Sequence, residues 1–296
     1  MRFIVTGGEG FIGRRIVEVI RKNGDEAISM DIAGSPDIRT DLMDTDLLRT
    51  SFKGIDGVFH LAAITSPPQF EEDLLKGFNN NVTGTLNVLY AAAKSGVRRV
   101  VFASSSSTYG NSKTKTTEDM QTLRHENMYP ITKIIGERLG DYFFIRNELE
   151  FVSLRYFNTY GPGENTKSLY SSVIWQFVRS SMKGEDIIIY GDGTQSRDFI
   201  HVDDVARATV SAFHRGKNGS AYNVGSGVSR SFNEIASAVK EAIRSESRIK
   251  HVPNPLKNYQ MFTQADINAI RKDTGWSPTV DLNSGIISIR DGERFD

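Results

Sequence analysis

Within its first thirteen residues the chain runs Met-Arg-Phe-Ile-Val-Thr-Gly-Gly-Glu-Gly-Phe-Ile-Gly. A short apolar stretch, residues 3–5, passes straight into Gly8-x-Gly10-x-x-Gly13, and an amphipathic segment opens at about Phe11. The placement constrains the fold more than the glycines themselves. A buried strand delivers a tight turn, and a helix begins where the turn ends. The N-terminus of that helix favours negative charge, and glycine lets the backbone come close to a pyrophosphate. A second apolar run ends in Ser29-Met30-Asp31, with Asp31 about twenty residues past the glycines. A carboxylate there accepts hydrogen bonds from an adenosine ribose diol and repels a 2′-phosphate. Together these features predict a dinucleotide site that takes NAD in preference to NADP.

The first half of the chain alternates short apolar runs with helix-like stretches. Strands are expected at 3–5, 26–31, 57–61, 99–103 and 151–156, and helices at 10–22, 81–95 and 130–147. Asn23-Gly24 and Ser95-Gly96 read as helix stops. Such alternation predicts an α/β fold of the Rossmann type: a doubly wound parallel sheet with helices on both faces. After Asn158 the texture changes. Gly161-Pro162-Gly163 breaks the chain, helices are expected near 171–183 and 232–242, and Gly191-Asp192-Gly193 turns between them. Residues 1–158 are expected to form the NAD-binding domain, with segments near 195–225 returning to it. Residues 159–296 are expected to form a smaller C-terminal substrate-binding lobe over the carboxyl edge of the sheet, where ligands of open α/β sheets bind.

Composition narrows the classes of function. Lysine plus arginine and aspartate plus glutamate balance at 36 each, so no bulk charge draws the chain to nucleic acid or an anionic membrane. It has no cysteine, which excludes disulfides, thiolate metal sites and a cysteine nucleophile. Its five histidines show no metal-ligand spacing. No apolar run approaches the length of a bilayer span, and the chain enters a strand too early for a signal peptide. A cytoplasmic protein is the expectation.

Tyr129 and Lys133 stand four residues apart, one helical turn, so they can share a face. An ammonium beside a phenol favours the phenolate, and such a tyrosine can take a proton from a substrate hydroxyl while nicotinamide accepts the hydride. Ser104 to Ser107 end the fourth strand at the same edge, where one hydroxyl can hydrogen-bond the reacting oxygen alongside Tyr129.

These elements, in this order, resemble the extended short-chain dehydrogenase/reductase family, especially its nucleotide-sugar epimerases and dehydratases. The resemblance covers nearly the whole chain. It includes Thr6 to Gly13, Asp41-Leu42, His60-Leu61-Ala62-Ala63, Asn81 to Thr85, Ser104 to Gly110 and Tyr129-x-x-x-Lys133. It continues in Arg155-Tyr156-Phe157-Asn158, Gly191 to Val202 and Tyr222-Asn223-Val224-Gly225. The resemblance implies that Gly7, Gly10, Phe11, Ile12 and Gly13 cradle the cofactor beside Asp31. Asp41 and Leu42 would flank the adenine, Leu61, Ala62 and Ala63 would lie along the ribose and pyrophosphate, and Asn81 would anchor a helix nearby. Tyr156 would pack beside the nicotinamide. Ser105 matches the family's catalytic Ser/Thr position, next to Tyr129 and Lys133. Ser106, Asn158 and Arg197 are expected to contact substrate, the last two at its diphosphate, for which an arginine fork is suited. The helices at 81–95 and 130–147 are those through which the family usually dimerises, and a homodimer is expected.

Two departures bear on the reaction. Dehydratases of the family carry acids at the serine run, and its decarboxylases tend to carry a glutamate; this chain has Ser106 and Ser107. Elimination of a sugar hydroxyl is therefore disfavoured, and reversible oxidation at a sugar carbon remains. Many members also place an arginine shortly before the stretch that here reads Ala265-Asp266, where this chain has Tyr259 to Gln264 and no arginine. That variant resembles the nucleotide-linked heptose epimerases. The leading expectation is an NAD-dependent 4-epimerase of a nucleotide-linked hexose, UDP-glucose/UDP-galactose or a relative. The alternatives are a nucleotide-sugar oxidoreductase or ketoreductase, and a catalytically silent member that senses NAD(H).

Overall fold

Side-chain alternation along β1 (Arg2–Thr6) sorts the two faces of a large sheet: Phe3 and Val5 enter one core, Ile4 the other. The computed structural model describes residues 1–65, 70, 72–120, 122, 124–165, 171–255, 260–293 and 295. The sheet holds β1, β2 (Glu26–Asp31), β3 (Ile38–Arg39), β4 (Gly57–His60), β5 (Arg99–Ser105), β6 (Glu150–Tyr156) and β10 (Ser220–Val224). Their order is β3-β2-β1-β4-β5-β6-β10, and every neighbouring pair is parallel.

Helices α1 (Phe11–Lys22) and α7 (Val202–Arg215) cover one face with Ile16, Val17, Ile20, Val205 and Phe213. The other face is covered by α2 (Thr45–Ser51), α4 (Gly84–Ser95) and α5 (Met128–Asn147), through Leu48, Val88, Leu89 and Phe143. Between β4 and α4 lies the short α3 (Leu74–Phe78), continued by a π turn at Asn79–Thr83. The wider turn occupies the start of the helix expected at 81–95; α4 proper ends at Gly96 in the left-handed region, φ +72°.

Two glycines bring α5 against the sheet. A Cβ at Gly136 would stand 2.4 Å from Phe102 and one at Gly140 2.0 Å from Phe151, so neither position admits a side chain. The helix begins at Met128 with Asn127 as its cap, which places Tyr129 inside the first turn. Pro130 is tolerated there because first-turn N–H groups have no intrahelical acceptor, so its missing donor costs no bond.

Beyond Asn158 a smaller lobe forms. A sheet ordered β11-β9-β7 joins β7 (Asn158–Tyr160), β9 (Ser196–His201) and β11 (Ser229–Ser231), while β8 (Ile187–Tyr190) pairs with β12 (Ile249–Val252). Ile174 and Phe177 of α6 (Val173–Met182), Phe232 of α8 (Phe232–Ile243) and Ile286 of α10 (Leu282–Gly292) share its core. Helix α7 and β10 return to the large sheet. So do residues 265–276, which include α9 (Asn268–Thr274): Ile267, Ile270 and Trp276 join the α1 and α7 core, and the Trp276 indole donates to the Asp204 carbonyl at 3.2 Å. Among the described residues no helix is long and apolar enough to cross a membrane.

Candidate active site

The chain runs outward through β1, β2 and β3, then crosses to place β4 on the other side of β1. At this reversal the loops leave in opposite directions, and a crevice opens at the strands' carboxyl ends. It is a groove of about 770 Å³. Its walls include Gly7, Gly10, Phe11, Ile12 and Gly13 of the glycine turn, Asp31 at the end of β2, and Asp41 and Leu42 beyond β3. Leu61, Ala62 and Ala63 follow from β4, Ser105 from β5, Tyr129 and Lys133 from α5, and Tyr156 from β6.

Of the glycine turn, Gly7, Gly10 and Gly13 line the groove. Gly8 belongs instead to the packing against β2, where a Cβ would meet Ser29 at 2.8 Å. Gly7 has φ +69°, and a Cβ on it would stand 2.8 Å from the backbone nitrogen of Ala62. A Cβ on Gly13 would lie 2.0 Å from the Gly7 carbonyl oxygen. Gly7 and Gly13 are thus closed to side chains, and their backbone forms the floor. No side chain caps α1, and no acid occupies its first turn. The Asp31 carboxylate is fixed by N–H donors from Glu9 (3.0 Å), Ile32 (2.7 Å) and Ala33 (3.1 Å).

A chain of buried hydrogen bonds holds the walls in register. The Thr85 hydroxyl donates to the Asn81 carbonyl at 2.6 Å, so it must accept from His60 Nε2, 3.0 Å away. His60 Nδ1 then accepts from the Thr6 hydroxyl at 2.7 Å, whose oxygen in turn accepts the Ala62 N–H. Only the neutral Nε2–H tautomer satisfies every partner. Burial, with Lys133 nearby, pushes the His60 pKa down to about 3, so it stays neutral. Asn81 does not line the groove. Its amide clamps Ile64 through both N–H and C=O at 2.8 Å and reaches the Thr132 hydroxyl at 3.2 Å, tying the wall after β4 to the helix that carries Tyr129 and Lys133.

Ser105, Tyr129 and Lys133 meet at the β5 end of the groove. Ser105 hydrogen-bonds Tyr129, which favours the phenolate, but burial outweighs this and lifts the Tyr129 pKa to about 12. Lys133 is buried, and its Nζ donates to the Ala103 carbonyl at 2.7 Å. Burial lowers its pKa to about 7, against the opposing charge of Glu137. The ammonium lies 5.8 Å from the centre of the Tyr129 ring, so it shares the tyrosine's face as the spacing predicts. Its expected lowering of the Tyr129 pKa is not what this arrangement produces. Desolvation of both groups dominates.

Three expected substrate residues are not among the residues that line the groove, although Ser106 follows Ser105 and Asn158 lies between the lining residues Phe157 and Thr159. Ser106 lies in the 3₁₀ turn Ser106–Tyr109, and Ser107, not Ser106, donates to Ser105 at 2.9 Å. The Asn158 amide is engaged with the Asp198 carbonyl (3.3 Å) and the Thr263 hydroxyl (3.2 Å). Arg197 is buried in β9, its guanidinium donating to the carbonyls of Ser196 and Gln260 and lying over the Phe232 ring. Gln260, from the stretch without arginine, also donates to the Gly110 carbonyl at 2.8 Å. Tyr259 lies outside the described residues. The groove has a wall residue that the spacing argument passed over, Glu9. Behind it lies a buried pair, Glu137 and Arg155. An acid four residues beyond Lys133, on the same helical face, is the signal that could have marked Glu137.

A model of the NAD dependent epimerase/dehydratase family matches residues 3–225. The chain belongs to that family. It is 33% identical to the UDP-N-acetyl-alpha-D-glucosaminuronate decarboxylase of Bacillus cytotoxicus over 85% of this chain and 83% of that one. It is 32% identical to a putative UDP-glucose 4-epimerase of Methanocaldococcus jannaschii, over 96% and 95%. The UDP-glucuronic acid 4-epimerase of Bacillus cereus, solved with UDP-glucuronic acid and NAD, superposes with a TM-score of 0.88 at 28% identity, over 99% of this chain and 98% of that one. As an epimerase/dehydratase the protein uses NAD. The groove fits that group: glycine backbone at Gly7 and Gly13 where the pyrophosphate of such sites lies, an uncapped helix N-terminus and a fixed carboxylate where the ribose lies. Among the described residues no cluster could hold a metal ion.

Lys133 gives a pH signature. Its folded value lies below the ordinary 10.5, so between about 7 and 10.5 the unfolded chain binds the extra proton and stability rises with pH. The cost of burying the ammonium is fully present below about 7. Relative to the parent chain, Lys133→Met is expected to be more stable at pH 6 than at pH 10 in urea unfolding of the NAD-free protein. A difference that does not change with pH would contradict this.

Proposed function

We propose that the protein is an NAD-dependent 4-epimerase of a UDP-linked hexose. One observation carries the reading: the carboxylates on the groove wall, Glu9, Asp31 and Asp41, all belong to the glycine turn and the β2–β3 end. Around Ser105, Tyr129 and Lys133 the described wall offers hydroxyls and an amine, suited to moving one proton and lacking an acid to expel a sugar hydroxyl. NAD, when bound, supplies the hydride acceptor for C4 and the means of its return. The chain's own groups do the rest. Tyr129 takes the C4 hydroxyl proton, Ser105 hydrogen-bonds the same oxygen, and Lys133 holds the cofactor ribose and supplies positive charge beside the phenol. The 4-keto sugar turns over in the site, so that the hydride comes back to the other face of C4 while Tyr129 returns the proton to the C4 oxygen.

Likeness to a decarboxylase favours a second reading. If the sugar is a uronate, the same oxidation at C4 leaves a β-keto acid, which can lose carbon dioxide without further acid catalysis. UDP-glucose, UDP-galactose and their N-acetyl and glucuronate forms should be supplied without added cofactor, following anomeric protons by NMR and carbon dioxide release. Interconversion at C4 is the expected result; carbon dioxide with no epimer would replace it by the second reading. Tyr129→Phe should keep its NAD and lose turnover by about 10²- to 10⁴-fold. Unchanged turnover would remove Tyr129 from the reaction.

We propose further that two copies pair through α4 and α5, where Leu86, Tyr90, Tyr142 and Ile145 are exposed. Light scattering at micromolar protein should give a dimer, and a monomer would contradict the proposal.

A further inference from the structure

Behind the Ser105–Tyr129–Lys133 end of the groove lies a buried ion pair to which the reaction assigns no part. Arg155 of β6 meets Glu137 of α5 with a two-pronged contact, Nε to Oε1 at 3.0 Å and Nη2 to Oε2 at 2.8 Å. Both residues are almost excluded from solvent. Buried pairs of this kind are weak evidence for stability, because desolvating both charges offsets most of their attraction. Their placement here is more informative. Glu137 stands one helical turn beyond Lys133, and its Oε1 also accepts the Ser104 hydroxyl at 2.5 Å. Ser104 lies between Ala103, whose carbonyl takes the Lys133 ammonium, and Ser105. Arg155 extends the network with Nη1, which donates to the Tyr109 hydroxyl at 3.0 Å and the Glu118 carbonyl at 2.9 Å. Tyr109 closes the 3₁₀ turn that follows Ser105.

We propose that Glu137 and Arg155 are positioning residues for proton transfer: they lock the end of β5 against α5, and Glu137 supplies the buried counter-charge that faces Lys133. The surroundings of the ammonium support this. On its own helix it faces Tyr129 and Glu137; from β5 it meets the Ala103 carbonyl and the Phe102 ring, 4.9 Å away; from β4 it faces His60, held neutral. Arg155 from β6 stands behind Glu137 and is neutralised by it. Glu137 is thus the anionic side chain acting on Lys133, and it favours the charged lysine.

The inference rests on the proton-transfer reading, and its test separates the two. In the NAD-loaded Glu137→Gln protein, kcat is expected to fall about ten- to a hundred-fold, with KM changed less than about two-fold. Without the Glu137 charge Lys133 gives up its proton at lower pH, so the basic limb of the kcat profile should move to lower pH. The Lys133 side-chain nitrogen, titrated by NMR in labelled protein, should move the same way. If Glu137→Gln does not fold, the paired variant Glu137→Gln/Arg155→Met, which leaves no orphaned charge, takes its place with the same expectations. Wild-type turnover and pH profile in the paired variant would overturn the proposal. So would an unmoved Lys133 titration, whatever sugar the enzyme uses, because that readout needs no turnover.

Discussion

The backbone of Gly7 lies against the backbone of Ala62, nearer than any side chain would permit. This contact joins the ends of β1 and β4 at the one place where the sheet reverses its winding. With the strand ends so close, the glycine turn and the β4 loop leave in opposite directions and the groove opens between them. Every wall residue takes its place from that crossing. The Thr6–His60–Thr85–Asn81 chain holds the two loops in register, and Asn81 carries the register on to α5 through Ile64 and Thr132. A charged His60 would weaken this chain, since protonation of Nδ1 would take away the acceptor of the Thr6 hydroxyl proton.

At the other end of the groove the governing term is desolvation. The Tyr129 phenol rises to about 12 and the Lys133 ammonium falls to about 7 for the same reason, loss of water around a charge. Burial thus favours the uncharged form of both groups in the resting chain, and the hydrogen bond with Ser105 and the nearby carboxylate of Glu137 oppose it. A site in this condition responds strongly to any charge placed beside it. The low local dielectric that penalises its own ions also magnifies the field of a bound group. Under the proposed reaction, that sensitivity is what couples cofactor binding to proton transfer.

What could be seen in the sequence follows from how local each signal is. Strands β1, β2, β4, β5 and β6 are buried on both faces and read as short apolar runs, and the strand–turn–helix opening is legible from adjacent residues. Strands β3, β7 and β11 are two or three residues long and exist through their partners, so no pattern within them marks them. The residues named from the sequence for NAD, apart from Asn81, meet at the groove because each sits at a strand end, in the segment that follows it or, for Tyr129 and Lys133, near the start of α5. Ser106, Asn158 and Arg197 are not among the groove's lining residues, and the contacts that hold them are ones no local pattern carries. The last two are engaged by Gln260, Thr263 and the Asp198 carbonyl, and all three partners lie far along the chain from the residue they engage. Glu137 was hidden differently, as a charge on a buried helical face whose meaning depends on Arg155 across the sheet.

In the proposed reaction hydride leaves a sugar C4 and returns to the same carbon without leaving the site. The most direct measurement supplies UDP-hexose carrying deuterium at C4 and reads the product by NMR and mass, with absorbance at 340 nm recorded alongside. Full retention of deuterium at C4 in the epimer, with no net NADH, is the expected result. Loss of the label to water, or NADH accumulating in step with product, would contradict it.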